Sequence, residues 1–524
     1  MGRRFENKHW SIRQGDRPSS ILFCFGIDPH LTWLDSRLRG IDIYRMPVAG
    51  PTLTSESFPI TISETYRVLG YIDDVKPAIT SMNEFILVDE GSSLFEKASG
   101  CILHRSPSSG KVKFLPLGRW RGTLQQEDLP VPYVALSDHL NMVGVDLRAT
   151  PTSTRKENGD ILVDRVKKTI GGWKGGKFLP LCLRGIAVNT YCLSKVWFRC
   201  GSIDMKAGDI VKITSLIKSW IYADQLIKPE EIALYKARNF GGLKLINVKY
   251  RAMAELIKTF IDTAINPKYI TNYFHQALFR WYVEEDRSIP DPGKSPYYSE
   301  DFFSFIRKVK EEGLLRLSSL KIRDWYRLLL EENILNVKDI NGTLTKQLLK
   351  CERDQPDISW ETVWSLCAVR GLESNDSSFL FRLLHCLLPT QERLFRIYGT
   401  KVGSNICPLC STNNECSLVH AFVLCPFINQ VGHWLITHLK PSMPNLTGQQ
   451  LIRLNFPLEL GSNEVFSVMW FSAKVLSLIW GSRMSKKQIS IRTVRAKLEA
   501  EIMLLRKTRF ANHVPMLEEL MKDT

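Results

Sequence analysis

The sequence predicts an α+β N-terminal part followed by a mostly α-helical remainder. Three observations carry this. Residues 1–125 mix short β-rich runs with helical pieces: "EFILVDE" and "KVKFLPLG" read as strands, although "SMNEFILVDEGSSLFEKASG" as a whole fits strand or helix, and "PSSILFCFGI" opens on Pro18 as a helix start. From about residue 160 the apolar spacing turns helical. Leu162, Val166, Ile170 and Trp173 fall at i, i+4, i+8 and i+11, with Asp160 placed as an N-cap. Beyond "SIPDPGKSP", residues 288–296, the clearest linker in the chain, that spacing continues in "DWYRLLLEENIL", "SSFLFRLLHCLL" and "VRAKLEAEIMLLRK". Between these regions, Leu183, Ile186, Thr190, Leu193 and Trp197 repeat one helical face after Pro180, and "GGWKGGKF" is a Gly-rich break before it.

At 524 residues the chain exceeds a single core. Its net charge of +16, from 70 Lys+Arg against 54 Asp+Glu, points to an anionic partner, nucleic acid first. The excess is uneven. Residues 151–200 hold ten cations (Arg155, Lys156, Arg165, Lys167, Lys168, Lys174, Lys177, Arg184, Lys195, Arg199) and three anions, a local balance of +7. Most of the twelve cysteines are scattered singly and read as buried thiols of a reducing compartment. The longest apolar stretch, residues 465–481, carries Lys474 in its middle, so a buried helix is expected rather than a membrane span. With no signal peptide after Met1, the expectation is an intracellular protein, nuclear or cytoplasmic, with no membrane partner.

Two stretches carry chemistry. "TYRVLGYIDDVKPAIT", residues 65–80, places Asp73 and Asp74 inside an apolar β-rich run, although Asp is depleted in strands. A tight hairpin turn explains this, because Asp tolerates turn geometry. So does a divalent-metal site, in which paired hard oxygens hold Mg²⁺. The second stretch is "NICPLCSTNNECSLVHAFVLCPF", residues 405–427. Cys407-x2-Cys410 followed by His420-x4-Cys425 offers four ligands suited to tetrahedral Zn²⁺. Four protein ligands fill the shell, so such a site is structural. Cys416 is a spare fourth thiol that could compete with a named ligand. His385 and Cys386, on the apolar helix just before, read as core, as do Trp360 and Trp364. No Ser/His/Asp triad, P-loop or Rossmann fingerprint appears.

The polar turn "SIRQGDRPSSILF", residues 11–23, precedes "GYIDDV" in a basic chain. In this order the blocks resemble those of the reverse transcriptases of non-LTR (LINE-type) retrotransposons. "LFEKASGCILHRSPSSGKVKFLPLG" resembles the following palm block, and "LNMVGVDL" the strand at the primer grip. "RVKKTIGGWKGGKFLPLCLRGIAVNTYCLSKVWF" looks like the thumb, and "ARNFGGLKLINVKYRAMAELIKTF" like the Gly-Gly-Leu block beyond it. The helix-then-knuckle pattern over "FLFRLLHCLLPTQERLFRIYG" and the Cys/His cluster also resembles that family. The resemblance runs collinearly from residue 9 to about 430.

The resemblance implies a partial right-hand polymerase palm at 1–125, a primer-grip-like β segment at 126–155 and a helical thumb and connection at 156–285. A linker and helical region at 286–375, the zinc-knuckle region at 376–440 and a C-terminal helical region at 441–524 complete it. Asp73 and Asp74 would hold Mg²⁺, Asp73 more directly. Arg13, Gln14 and Gly15 would line the template and incoming-nucleotide pocket, with Tyr71 beside the primer end. Arg165, Lys167, Lys168, Lys174 and Lys177 would grip the duplex backbone. Partners would be an RNA template, a DNA primer or target and dNTPs. The family's first palm aspartate belongs upstream of the Arg-Gln-Gly block and is not matched here, nor are the fingers. The expectation is therefore a C-terminal part of a reverse transcriptase, inactive alone. The alternative is a non-catalytic nucleic-acid-binding remnant.

Overall fold

Helices dominate, and the strands pair in twos. The computed structural model describes residues 19–45, 61–71, 74–99, 105, 111–142, 144–173, 179–223, 227–229, 231–237, 241–265, 272–289, 291–292, 298–309, 314–333, 372–410, 412–441, 443, 445–454, 456 and 462–522. The chain divides into two units: residues 1–162 with 197–209 and 252–325, and residues 163–196 with 210–251 and 326–524.

The first unit begins with α1 (Ser19–Arg37). Two antiparallel pairs follow: β1 (Ile41–Arg45) with β2 (Thr61–Tyr66), and β3 (Val68–Tyr71) with β4 (Asp74–Pro77). In the second pair Tyr71 lies opposite Asp74. The strand expected over "EFILVDE" is instead helical, within α2 (Asn83–Ser99). Its buried residues Glu84, Phe85, Gly91 and Ser92 recur after seven positions, a helical seam. Glu84 fixes the helix start. Its carboxylate accepts the backbone N–H groups of Thr80, Ser81 and Arg39. Burial pushes the Glu84 carboxyl up, but these hydrogen bonds outweigh it and leave the pKa lowered. Gly91 is required where α2 meets α1, because a Cβ there would run into the Trp33 ring.

"KVKFLPLG" supplies only a short strand, β5 (Lys113–Phe114), parallel to β6 (Ala135–Leu136). β7 (His139–Met142) and β8 (Val145–Arg148) form an antiparallel hairpin, so "LNMVGVDL" is two strands rather than one. The next helix, α3 (Pro151–Gly172), starts well before residue 160. Pro151 takes the first helical position and the Thr150 hydroxyl accepts the Ser153 N–H at 3.1 Å. Asp160 is therefore mid-helix and not an N-cap. Leu162 and Val166 are buried as the periodicity predicts.

After Pro180, α4 (Leu181–Ala187) runs through a π-helical stretch, Val188–Leu193, into α5 (Ser194–Cys200). Of the expected face only Leu193 is fully buried. Ile186 and Thr190 are exposed, while Leu181, Val188, Cys192, Leu193 and Val196 are buried. A π turn takes more residues than an α turn, so it shifts the phase that simple α spacing assumes. Helices α6 (Ala207–Ile221), α7 (Glu231–Tyr235), α8 (Val248–Ile265), α9 (Asn272–Phe279), α10 (Glu300–Val309), α11 (Leu314–Ser319) and α12 (Ile322–Asn333) follow. In the first unit Phe260, Tyr298, Phe302 and Phe303 pack as an aromatic cluster, with Tyr298 stacked on Phe302 at 4.8 Å.

The C-terminal helices are α13 (Ser374–Leu384), α14 (Gln391–Tyr398), α15 (Asn429–Leu439), α16 (Gly448–Arg453), α17 (Ser462–Ser485), α18 (Ile491–Leu505) and α19 (Val514–Glu519). They enclose one hydrophobic core around α17, which packs on α13, α15, α18 and α19. Val468, Trp470, Phe471, Val475, Leu476 and Ile479 are fully buried. By length and composition Glu464–Ser485 could cross a membrane, but most of it lies inside this core. Lys474, 2% exposed, sits between Asp376 of α13 at 2.6 Å and Glu501 of α18. Three helices thus meet at one buried ammonium. Burial pushes the Glu501 carboxyl up against the pull of Lys474. His385 and Cys386, just past α13, are core, as expected. The His385 Nε2 lies 2.6 Å from the Gly241 carbonyl oxygen. Burial drives its pKa down to about 4 against that hydrogen bond.

Two outcomes follow from these buried groups. Lys474→Met leaves two facing carboxylates without their cation and lowers unfolding free energy by about 3–5 kcal/mol. Adding Asp376→Asn and Glu501→Gln recovers most of the loss, as urea melts will read. The His385 contribution is complete above its unfolded pKa near 6.5. It is lost as pH falls towards about 4, because the unfolded chain takes up the proton first. Over that window the parent loses up to about 3 kcal/mol more than His385→Gln; parallel pH profiles would contradict this.

Candidate metal centre and basic surface

The Cys/His cluster assembles from two local devices. The first is a narrow ribbon. Ile406 bridges Glu415, the Cys407 N–H donates to the Asn414 carbonyl at 3.0 Å, and the Cys416 N–H to the Asn405 carbonyl at 2.9 Å. Cys407 and Cys410 lie in the loop this ribbon closes. The second is a π turn, His420–Leu424, opened by Ser417, whose hydroxyl accepts the His420 N–H at 3.1 Å. The Cys425 N–H closes it onto the His420 carbonyl at 2.8 Å. This i→i+5 bond widens the turn, so two ligands five residues apart face one side. Helix α15 crosses close by. Gly432 is required there, since a Cβ would come within 2.5 Å of the Phe422 carbonyl oxygen.

Together these devices place one donor atom from each of Cys407, Cys410, His420 and Cys425 within 4.8 Å of one another. Cys407 Sγ and Cys425 Sγ are 3.8 Å apart, and Cys410 Sγ and His420 Nε2 are 3.4 Å apart. A tetrahedron with Zn–S of about 2.3 Å and Zn–N of about 2.05 Å has S–S edges of about 3.8 Å and S–N edges of about 3.6 Å. The spacing fits such an ion. It is also far beyond a disulfide's ~2.05 Å, and the cysteines are free thiols. The four residues form a Cys₃His group that can hold a metal such as zinc.

The thiols are tuned by short-range donors. Each of the sequences "CPLC" and "CPF" puts a proline after the cysteine, and the next amide, Leu409 or Phe427, hydrogen-bonds to the sulfur of Cys407 or Cys425. Burial pushes the Cys407 thiol up, but Arg483, the Leu409 amide and His420 together bring it down to about 6. At Cys425 burial dominates and holds the thiol at about 11.

Cys416 is not a member of the donor group. It is buried beside it and accepts a hydrogen bond from Arg483 Nη2 at 3.3 Å; the same Nη2 reaches Cys407 Sγ at 3.4 Å. The spare thiol therefore does not compete for a ligand position. Arg483, near the end of α17, was not visible as a site residue in the sequence, because nothing local links it to sulfurs 67 and 76 residues earlier. The repeated Cys-Pro pair was the one local signal available for the sulfur-directed amides.

The polymerase-type residues are placed unevenly. Arg13, Gln14, Gly15, Asp73, Lys174 and Lys177 lie outside the described residues, as do Trp360 and Trp364. Tyr71 and Asp74 pair across β3 and β4 through their backbones. Arg165, Lys167 and Lys168 are exposed on α3. Beside them Lys195 Nζ lies 3.4 Å from the Thr169 hydroxyl, and Trp173 packs between Tyr191 and Trp220. Tyr191 is 63% exposed. Three other cations of the 151–200 segment bond within the fold. Arg184 donates to the carbonyls of Leu179 and Ile221, Arg155 pairs with Asp204, and Arg199 donates to Asn158. These three cations are engaged by the fold.

Purified chain should carry about one tightly held divalent metal ion. Cys407→Ser and Cys425→Ser should lose it, and Cys416→Ser should keep it, as elemental analysis after gel filtration will read. Loss in Cys416→Ser with retention in Cys407→Ser would reverse the ligand assignment.

Compared with protein-family models and with curated proteins, the chain matches none.

Proposed function

We propose that this chain is a zinc-stabilised nucleic-acid-binding protein derived from, or forming part of, a non-LTR retrotransposon reverse transcriptase. The observation that carries the binding reading is the exposed face of α3 and its neighbour. Arg165, Lys167 and Lys168 are exposed along α3, Lys168 pairing with Asp164 at 2.7 Å, and exposed Lys195 and Tyr191 approach α3 at Thr169 and Trp173. Cations with an accessible aromatic ring suit a phosphate backbone and an unstacked base. The net charge of +16 gives long-range attraction in the same sense.

The family reading rests on the collinear blocks, above all "RQGD" before "GYIDD". The β3–β4 pairing, with Tyr71 opposite Asp74, is compatible with it. In such an enzyme Mg²⁺ at Asp73 and Asp74 would serve nucleotidyl transfer from dNTPs on an RNA template. The metal of the Cys₃His group is zinc in this reading. Three sulfurs and one imidazole are its preferred donors, and four protein ligands leave no position for a reacting water, so its role is structural.

Binding is tested by anisotropy of a labelled RNA and a labelled duplex across a salt series. Affinity falls steeply with salt. Replacing Arg165, Lys167 and Lys168 together by Gln weakens binding and reduces the magnitude of the log–log salt slope by about 2–3. Tyr191→Ala weakens the single strand more than the duplex. A salt-independent affinity, or a triple variant equal to the parent, would remove this surface from the account.

A further inference from the structure

Two cations are buried on helix α17, and they are treated differently. Lys474 is held by the carboxylates of Asp376 and Glu501. Arg483, only 7% exposed, directs its Nη2 at two sulfur atoms, Cys407 Sγ at 3.4 Å and Cys416 Sγ at 3.3 Å. Among the described residues no carboxylate forms an ion pair with it. A protonated thiol is a weak acceptor and carries no charge. A guanidinium buried against thiols alone would be a poorly compensated cation. Against metal-bound thiolates it is well placed. Three thiolates on a divalent ion leave one formal negative charge, and the guanidinium cancels it.

We propose that Arg483 is a positioning residue of the metal centre: it supplies the counter-charge to the Cys407, Cys410 and Cys425 thiolates and so ties α17 to the metal. Cys416 is the second sulfur that aims the guanidinium, which gives the non-ligating cysteine a role. The consequence reaches beyond the knuckle. Helix α17 organises the C-terminal core, so the metal holds residues far from its ligands in sequence. Hydrogen bonds to metal-bound sulfur withdraw electron density from it and stabilise the anion. This inference rests on the metal reading of the Cys₃His group and is independent of the nucleic-acid reading.

The test compares the full-length parent with Arg483→Met, Arg483→Gln and Arg483→Lys. Zinc retention is measured by competition with a chromophoric chelator, and the cobalt-substituted proteins are measured by absorption. Arg483→Met and Arg483→Gln should bind zinc about 10- to 100-fold more weakly. Their sulfur-to-cobalt charge-transfer band should move to lower energy, because the sulfurs become better donors. Arg483→Lys, which keeps the charge, should recover most of the affinity and part of the band position. Should Arg483→Met fail to fold, the Gln and Lys variants carry the same comparison. Parent-like affinity and an unmoved cobalt band in the Gln variant, even with a lowered melting temperature, would make Arg483 a packing residue only and overturn the proposal. A parent chain that binds neither metal would overturn the metal reading itself, a different and recognisable result.

Discussion

Three sulfur atoms and one imidazole nitrogen meet inside the C-terminal core within 4.8 Å, and three of the four residues are buried. Such a set is unfavourable as a bare group. Thiolates in a low-dielectric interior repel one another, and protonated thiols leave the sulfur-directed amides with weak acceptors. A divalent cation removes both problems at once. Structural zinc binding is worth about 10–16 kcal/mol in small peptides, comparable to the whole stability of an ordinary domain. A short ribbon and a single π turn can be fixed by an interaction of that size. A bound ion would set the shape on which the surrounding core packs, with Cys407, Cys416 and Cys425 counted among its buried residues.

The charge of the chain divides along similar lines. Part of the basic excess is internal. Arg184 and Arg199 satisfy buried oxygens, Arg155 pairs with Asp204, Lys474 joins three helices and Arg483 faces sulfur. Other cations are left to solvent, among them Arg165, Lys167 and Lys168 on α3. A count of charges along a segment therefore overstates its grip on a polyanion, and the orientation of each side chain decides which cations remain available.

Some of this was legible in the sequence. Cys-x2-Cys with a later His-x4-Cys announces a ligand set because metal geometry demands close spacing, and all four residues named from the pattern converge. Lys474 inside an apolar run told a core helix from a membrane span, and α17 is that core helix. Other features were hidden for physical reasons. "EFILVDE" is β-like in composition, but the Glu84 carboxylate caps a helix start through amides of Arg39, Thr80 and Ser81, a partly long-range decision. The start of α3 lay in the Thr-Pro pair at 150–151, ahead of the apolar stripe that suggested Asp160. The π turn at Val188–Leu193 moved a face that regular spacing could not move. Arg483 was out of reach of any local pattern, since only the fold brings it to Cys407.

The central claim is that the Cys₃His group is a closed tetrahedral zinc site on which the C-terminal core depends. X-ray absorption at the zinc edge of the purified chain reads it most directly. The account predicts three sulfur neighbours at about 2.3 Å and one nitrogen at about 2.0–2.1 Å, with no water oxygen in the shell. A shell of light atoms only, or a fourth sulfur in place of the imidazole nitrogen, would contradict it.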